Sequence, residues 1–361
     1  MFANKSKFLT GILTGALVLS LVGCGAQNST PAGQEKAVPV NLTGAGSTFV
    51  YPLLNQQIDE YHKKNSSVTI NYQGVGSGAG INQVSSQTLD FGATDGPMTE
   101  EQLKAAKGGK ILHIPLTLGA EAVTYNVPNA PKNLKIGPMV LADIFLGKVT
   151  NWNDTRIAAD NPGVSLPDLK IMVAHRSDGS GTTYIFSDYL SSISPDWLSK
   201  VGKGTSLNWP VGVGGKGNAG VAGVVQQTPG YIGYVELAYA VQNNMTFAMM
   251  QNKEGKWLAP SLQGASAAAT TAKIPDDMRV SIVNAPGADA YPIAGFSWAL
   301  IYQDQKDKAK GTALVNFIYW AIHDGQNLSE GLQYAKLPAT LVTREETMLK
   351  TITFENQPLL K

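Results

Sequence analysis

Four loops hold the residues whose types and spacing offer chemistry. Gly44-Ala45-Gly46-Ser47-Thr48-Phe49 leads into an amphipathic segment that starts near Pro52. Gly74-Val75-Gly76-Ser77-Gly78-Ala79-Gly80 joins an alternating run to another helical segment. Ser177-Asp178-Gly179-Ser180-Gly181-Thr182-Thr183 follows His175-Arg176 and again opens a helix. These three share one design. Glycine allows close backbone approach, Ser and Thr supply hydroxyl donors, and a helix N-terminus adds unpaired N–H groups and the positive end of a dipole. Such places hold anions. Arg176 precedes the third loop, and its planar fork can grip two oxygens of a tetrahedral oxyanion. It can also pair with Asp178, and the two roles are compatible. The fourth loop, Asp90-Phe91-Gly92-Ala93-Thr94-Asp95-Gly96, presents the carboxylate of Asp95. Any one of these loops reads equally well as a turn and a cap. Three of one kind in one chain, with an arginine beside them, point to an anion site.

Other chemistries fit less well. Gly74-x-Gly76-x-x-Ala79 loosely matches a dinucleotide fingerprint, with Asp95 near the distance of a ribose contact. The N-terminus reads as an export signal, however, and nicotinamide cofactors are scarce outside the cytoplasm. Gly214-Gly215-Lys216-Gly217-Asn218 lacks the Ser or Thr that follows the lysine of a phosphate loop, and reads as the cap of a helix from Ala219. There is no Gly-x-Ser-x-Gly elbow. The four histidines, His62, His113, His175 and His323, form no metal-ligating pair with near neighbours. An exported hydrolase or phosphatase using Ser180 or Ser77 remains as the enzymatic alternative. No cofactor is expected.

The chain has 361 residues, 43% hydrophobic and 15% charged, with 28 Lys plus Arg against 27 Asp plus Glu. That length suits two domains. The charge balance argues against a nucleic-acid binder. The one cysteine, Cys24, excludes an internal disulfide. A short basic start, an apolar run from Phe8 to Val22 and the sequence Leu21-Val22-Gly23-Cys24 resemble a bacterial lipoprotein signal, with Cys24 as the lipidated residue. The expectation is a signal peptide over 1–23 and a flexible polar tether over 24–39, holding the body on the outer face of the cell membrane through a palmitate-type anchor.

The elements that must position the loops alternate between strand and helix, which predicts an α/β layered fold. Helices are expected over Pro52–Tyr61, Ile81–Ser86, Thr99–Ala106, Met139–Leu146, from Thr182, over Ala219–Gln227 and over Thr312–His323. Strands are expected over Val68–Tyr72, Ile111–Leu116, Ala122–Val127, Lys170–His175, Tyr231–Val235, Arg279–Val283 and Phe296–Tyr302.

At the loops the sequence resembles the phosphate-binding proteins of bacterial phosphate-specific ABC transporters. The likeness runs from Thr43–Phe49 through Asn71–Gly78, Asp90–Asp95, Leu146-Gly147-Lys148 with Asn151-Trp152, Arg176–Thr182 and Gly230–Glu236. It implies a two-lobe periplasmic-binding-protein-like (type II) fold with a hinge and a ligand cleft. The lobe boundaries expected from it are 40–119 plus 286–361 for the discontinuous lobe and 120–285 for the other, with crossings near Gly119 and Pro286.

The resemblance also implies a binding protein rather than an enzyme. Its ligand would be inorganic phosphate and its partners the membrane permease subunits, with the receptor acting as a monomer. Carried over by position, the ligands fall on Thr48, Phe49 through its N–H, Ser77, Asp95, Arg176, Ser180, Gly181 through its N–H, and Thr182. The departures are His175, where many relatives carry a second arginine, and Ser47, which replaces a common alanine. Asp95 makes sense in an anion site if the ligand carries a proton. Hydrogen phosphate can donate to a carboxylate, whereas sulfate is only repelled. A receptor for sulfate or molybdate is the alternative within the class.

Overall fold

The computed structural model describes residues 38–360. The expected signal peptide, Cys24 and the tether up to Ala37 lie outside the described residues. Among the described residues nine strands build the main sheet. They are β1 (Val40–Gly46), β2 (Val68–Gly74), β3 (Phe91–Thr94), β4 (Ile111–Tyr125), β5 (Met172–Arg176), β6 (Val213–Gly215), β7 (Tyr231–Glu236), β8 (Thr246–Phe247) and β9 (Ala294–Tyr302). Their order is β2-β1-β3-β9-β4-β7-β5-β6, with β8 also pairing β4. At one end β1, β2 and β3 are parallel. At the other end β5, β6 and β7 are parallel. Between them β9 and β4 run antiparallel to their neighbours.

The expected strands Ile111–Leu116 and Ala122–Val127 are one strand. β4 pairs β9 from Ile111 to Ala120 and then β7 from Glu121 to Tyr125, so it changes partners without breaking. All fifteen of its residues are buried, so it shows no apolar–polar alternation to mark it as one element. Pro115 sits inside it. A proline cannot donate to the ladder, and the register slips there: Ser297 faces Thr117 while Trp298 faces Pro115.

The expected strand Arg279–Val283 is absent. Arg279 is drawn instead into a knot with Asp277, Glu100 and the Met98 carbonyl, and the segment stays irregular.

Six helices frame the loops: α1 (Tyr51–Lys64), α2 (Ser77–Ser85), α3 (Gly181–Ile193), α4 (Gly217–Gln227), α5 (Leu237–Gln242) and α6 (Lys308–Ile322). α1 starts with Pro52 in its first turn, where the missing N–H costs nothing, and buries Leu54, Ile58 and Tyr61 on one stripe. α6 buries the expected Leu314, Phe317, Ile318 and Ile322. α2 and α4 begin earlier than expected, at Ser77 and Gly217. The Gly-rich stretches are therefore first turns of helices rather than loops ahead of them. The Thr99–Gln102 capping box forms as its sequence requires.

Candidate functional site

The carboxyl ends of β1, β3 and β5 and the N-termini of α1 to α4 meet at one place, outside the strand ends where open α/β sheets hold ligands. Contact between the loops is close. Gly78 N–H donates to the Gly179 carbonyl at 2.9 Å. Gly76, at φ +96°, leaves no room for a side chain: a Cβ there would lie 2.3 Å from Asp178 Oδ2.

Arg176 is almost wholly buried at the end of β5. Its Nε donates to Asp178 Oδ1 at 2.8 Å and its Nη2 to Asp178 Oδ2 at 2.6 Å, a bidentate pair. Its Nη1 donates to Thr182 Oγ1 at 3.1 Å. Three of five guanidinium N–H groups are thus engaged, and two have no partner among the described residues. Burial pushes Asp178 up, but the guanidinium outweighs it and holds the carboxyl below its usual range. Asp178 Oδ1 also accepts from Gly217 N–H at the start of α4. The two roles open to Arg176 therefore use different edges of one side chain.

Asp95 lies just beyond β3, 1% exposed. The hydroxyls of Ser47 and Ser297 both donate to its Oδ1, at 2.5 and 2.7 Å. Ser77 donates to its Oδ2 at a long 3.3 Å. Burial raises its pKa to about 6, against the opposing pull of Ser47, Ser297, Arg176 and Ser77.

The remaining expected residues divide. Ser180, Gly181 and Thr182 sit at the N-terminus of α3, where Ser180 Oγ caps the helix by accepting from Thr183 N–H. Thr182 faces Arg176, and Gly181 lies against Asp95. Thr48 reaches the same place: its Oγ1 accepts from Asn218 Nδ2 at 3.0 Å, and that amide also donates to Thr182 Oγ1 at 3.1 Å. Phe49 stands apart, because its N–H already donates to Ser47 Oγ at 2.9 Å. His175 is not paired with Ser180. Its Nδ1 lies 3.0 Å from the Arg176 carbonyl and its ring stacks on Trp209, so no Ser–His couple forms there.

Sequence reasoning passes over three residues of this network. Ser47 is visible only as a departure from the family pattern. Asn218 stands in a Gly-rich stretch that reads as a cap. Ser297 gives no sign inside an ordinary strand.

Behind the cluster, Glu121 and Glu236 face each other across the β4–β7 ladder, fully buried, both pushed well above the usual carboxyl range by burial. Neither oxygen of Glu121 has a partner among the described residues. In front lies a cavity of about 530 Å³ lined by Thr48, Tyr51, Asp178, Lys216, Gly217 and Tyr239, among others. Asp95 and Arg176 are not on its wall.

Two groups of parallel strands joined through β4 and β9, with Gly-Ser/Thr stretches gathered from both, define a substrate-binding protein of the two-lobe type II fold. The comparisons with known proteins agree. Residues 25–324 match the model of a PBP superfamily domain. A Xylella fastidiosa (strain Temecula1) protein named phosphate-binding protein PstS is 44% identical over 324 residues, spanning 89% of this chain and 88% of that one. A Pasteurella multocida protein of the same name is 40% identical over 313 residues, spanning 86% and 90%. The solved structure of a putative phosphate ABC transporter substrate-binding protein from Clostridium perfringens, with bound phosphate, shares the fold at a TM-score of 0.61 and 18% identity, over 82% of this chain and all of that one. The chain belongs to the family of phosphate-binding proteins of ABC transporters.

Proposed function

We propose that this protein captures hydrogen phosphate between its two lobes outside the cytoplasm and delivers it to the permease subunits of an ABC importer. It carries out no reaction of its own. The observation that carries this reading is that Arg176, held by Asp178, and a buried Asp95 lie near enough to interact electrostatically among four helix N-termini. Arg176 supplies one full positive charge. The helix ends, N–H groups and hydroxyls of Ser77, Ser180 and Thr182 supply the remainder without a second buried cation. Thr48 and the N–H of Gly181 complete the set, and Phe49 joins it by sharing the N–H it now gives to Ser47. Asp95 accepts a hydrogen bond from the proton that hydrogen phosphate carries and repels an oxyanion that has none.

The lobes are assigned to 40–119 with 286–361, and to 120–285. The exchange of β4 from β9 to β7 between Ala120 and Glu121 supports the first crossing, near Gly119. The receptor acts as a monomer held by lipid on Cys24, a reading supported by Leu21-Val22-Gly23-Cys24. No helix among the described residues is long and apolar enough to cross a membrane. Cys24→Ser removes the thiol that carries the lipid, so membrane fractionation should find that variant released or unprocessed.

Equilibrium titration with phosphate, arsenate and sulfate at pH about 8 tests the function. Phosphate binds, arsenate competes and sulfate does neither. Equal binding of sulfate and phosphate would overturn the assignment in favour of a general oxyanion receptor.

A further inference from the structure

We infer that Ser47 and Ser297 form a two-hydroxyl clamp that fixes which oxygen of Asp95 meets the ligand and keeps that carboxyl charged, making them positioning residues for anion selectivity. The inference rests on the phosphate reading and deepens it.

The geometry fixes the direction of each proton. Ser47 Oγ accepts from two N–H groups at the start of α1, Phe49 at 2.9 Å and Val50 at 3.2 Å. A hydroxyl has two lone pairs and one proton. With both lone pairs engaged, the only proton Ser47 has goes to Asp95 Oδ1. Ser297 reaches the same oxygen at 2.7 Å from another strand, beside the register slip of β9 against Pro115. Both hydroxyls are fully buried.

Two donors on Oδ1 leave no place there for a proton of Asp95 itself. The other oxygen, Oδ2, has only the long contact from Ser77 and lies against the backbone of Gly181 at the α3 N-terminus. A hydrogen bond from a protonated ligand is therefore received at Oδ2. The N-terminal dipole of α1 is also relayed through Ser47 to the carboxylate, which favours its charge.

The ionisable groups around Asp95 are Arg176, Glu121, Glu236, Tyr72, Tyr239 and Tyr334. Arg176 alone favours the carboxylate. Glu121 and Glu236, themselves pushed towards the neutral form by burial, oppose it whenever they ionise. All six are unchanged by replacing a serine, so a shift on replacement belongs to the hydroxyl.

The test uses the purified protein, Ser47→Ala, Ser297→Ala and the hydroxyl-retaining Ser47→Thr. Two readouts are taken from pH 5 to 8.5: the Asp95 carboxyl titration by carbon NMR without ligand, and the phosphate-to-sulfate affinity ratio by calorimetry. In the wild type the carboxyl should titrate near 6. Each alanine variant should titrate about one unit higher, since a hydrogen bond to a charged group is worth about that much. The phosphate-to-sulfate ratio at pH 6.5 should fall by up to about tenfold. Ser47→Thr should restore the wild-type midpoint. Midpoints within about 0.3 unit of wild type in both alanine variants, folded by circular dichroism, overturn the clamp and leave the phosphate reading standing. A wild type that binds sulfate as well as phosphate at every pH overturns the phosphate reading and takes the selectivity role of the clamp with it, whatever the NMR midpoints do. Should Ser297→Ala fail to fold, Ser47→Ala decides alone, because it removes one of the two donors to Oδ1 without adding bulk.

Discussion

Gly181 presses its backbone onto Asp95. A Cβ built at Gly181 would lie 2.4 Å from Asp95 Oδ2 and 2.5 Å from its backbone nitrogen. The glycine is needed here for space rather than for a left-handed turn, and it brings the N-terminus of α3 against the carboxylate. Gly181→Ala must push α3 and the β3 loop apart. Overpacking of this kind costs about 1–3 kcal/mol. Phosphate affinity by calorimetry should drop at least about tenfold while circular dichroism stays native. Unchanged affinity would mean that the approach of α3 to Asp95 has no part in binding.

Arg176 and Asp178 can be separated by a double-mutant cycle. Arg176→Ala should weaken phosphate binding by about 2–5 kcal/mol, the usual loss when one partner of a desolvated charge pair is removed. It also strands Asp178, so thermal stability falls. Adding Asp178→Asn should restore much of the stability and none of the binding. Recovery of binding in the double variant would show that Arg176 serves only to neutralise Asp178.

Asp95 makes stability without ligand depend on pH. Its folded pKa is raised from 3.8 to about 6. A carboxyl raised in the folded state contributes stability that is complete below its unfolded pKa and lost as pH rises through the folded one. Over the window from about pH 4 to about pH 6 this amounts to about 3 kcal/mol. Denaturant melts of the ligand-free protein should show stability falling across that window. Asp95→Asn should flatten the fall. An identical pH profile in Asp95→Asn would place the titration elsewhere, with Glu121 and Glu236 the next groups to replace.

Asn218 ties Thr48 to Thr182 through one amide nitrogen. Because both threonine oxygens accept from it, each keeps its own proton to give to an anion. Asn218→Ala should raise the phosphate dissociation constant about tenfold, the equivalent of one or two hydrogen bonds to a charged ligand. Small-angle scattering should show a more compact wild-type particle with phosphate than without, and a smaller change in the variant. Equal compaction in both would remove Asn218 from closure.

The fold class and the gathering of the candidate site's loops are largely legible because both are written in local sequence. A Gly-Ser/Thr stretch after a β run and before a helical stripe can be recognised without its partners, as at Ser77 and Ser180. The Arg176–Asp178 pair is legible because two residues of one loop suffice to make it. What escapes depends on contacts distant in the chain. Ser297 meets Asp95 across about two hundred residues, and nothing near Ser297 announces it. Arg279 sits in a run that alternates like a strand, but its side chain finds Glu100 and Asp277 before its backbone finds a neighbour. β4 reads as two strands because Gly119 and Glu121 interrupt it. Burial on both faces tolerates them where a half-exposed strand would not.

The place of β9 between β3 and β4 has a consequence for the order of events in folding. A strand drawn from residues 294–302 fills the gap between two strands that end by residue 125, so both keep an open edge until the last fifth of the chain is present. Contacts of such long sequence separation form slowly, and unpaired edges meanwhile invite pairing with other chains. Fragments that end before Ala294 should therefore aggregate rather than form a native-like first half. A chain emerging N-terminus first cannot close the gap between β3 and β4 until residues 294–302 have also emerged.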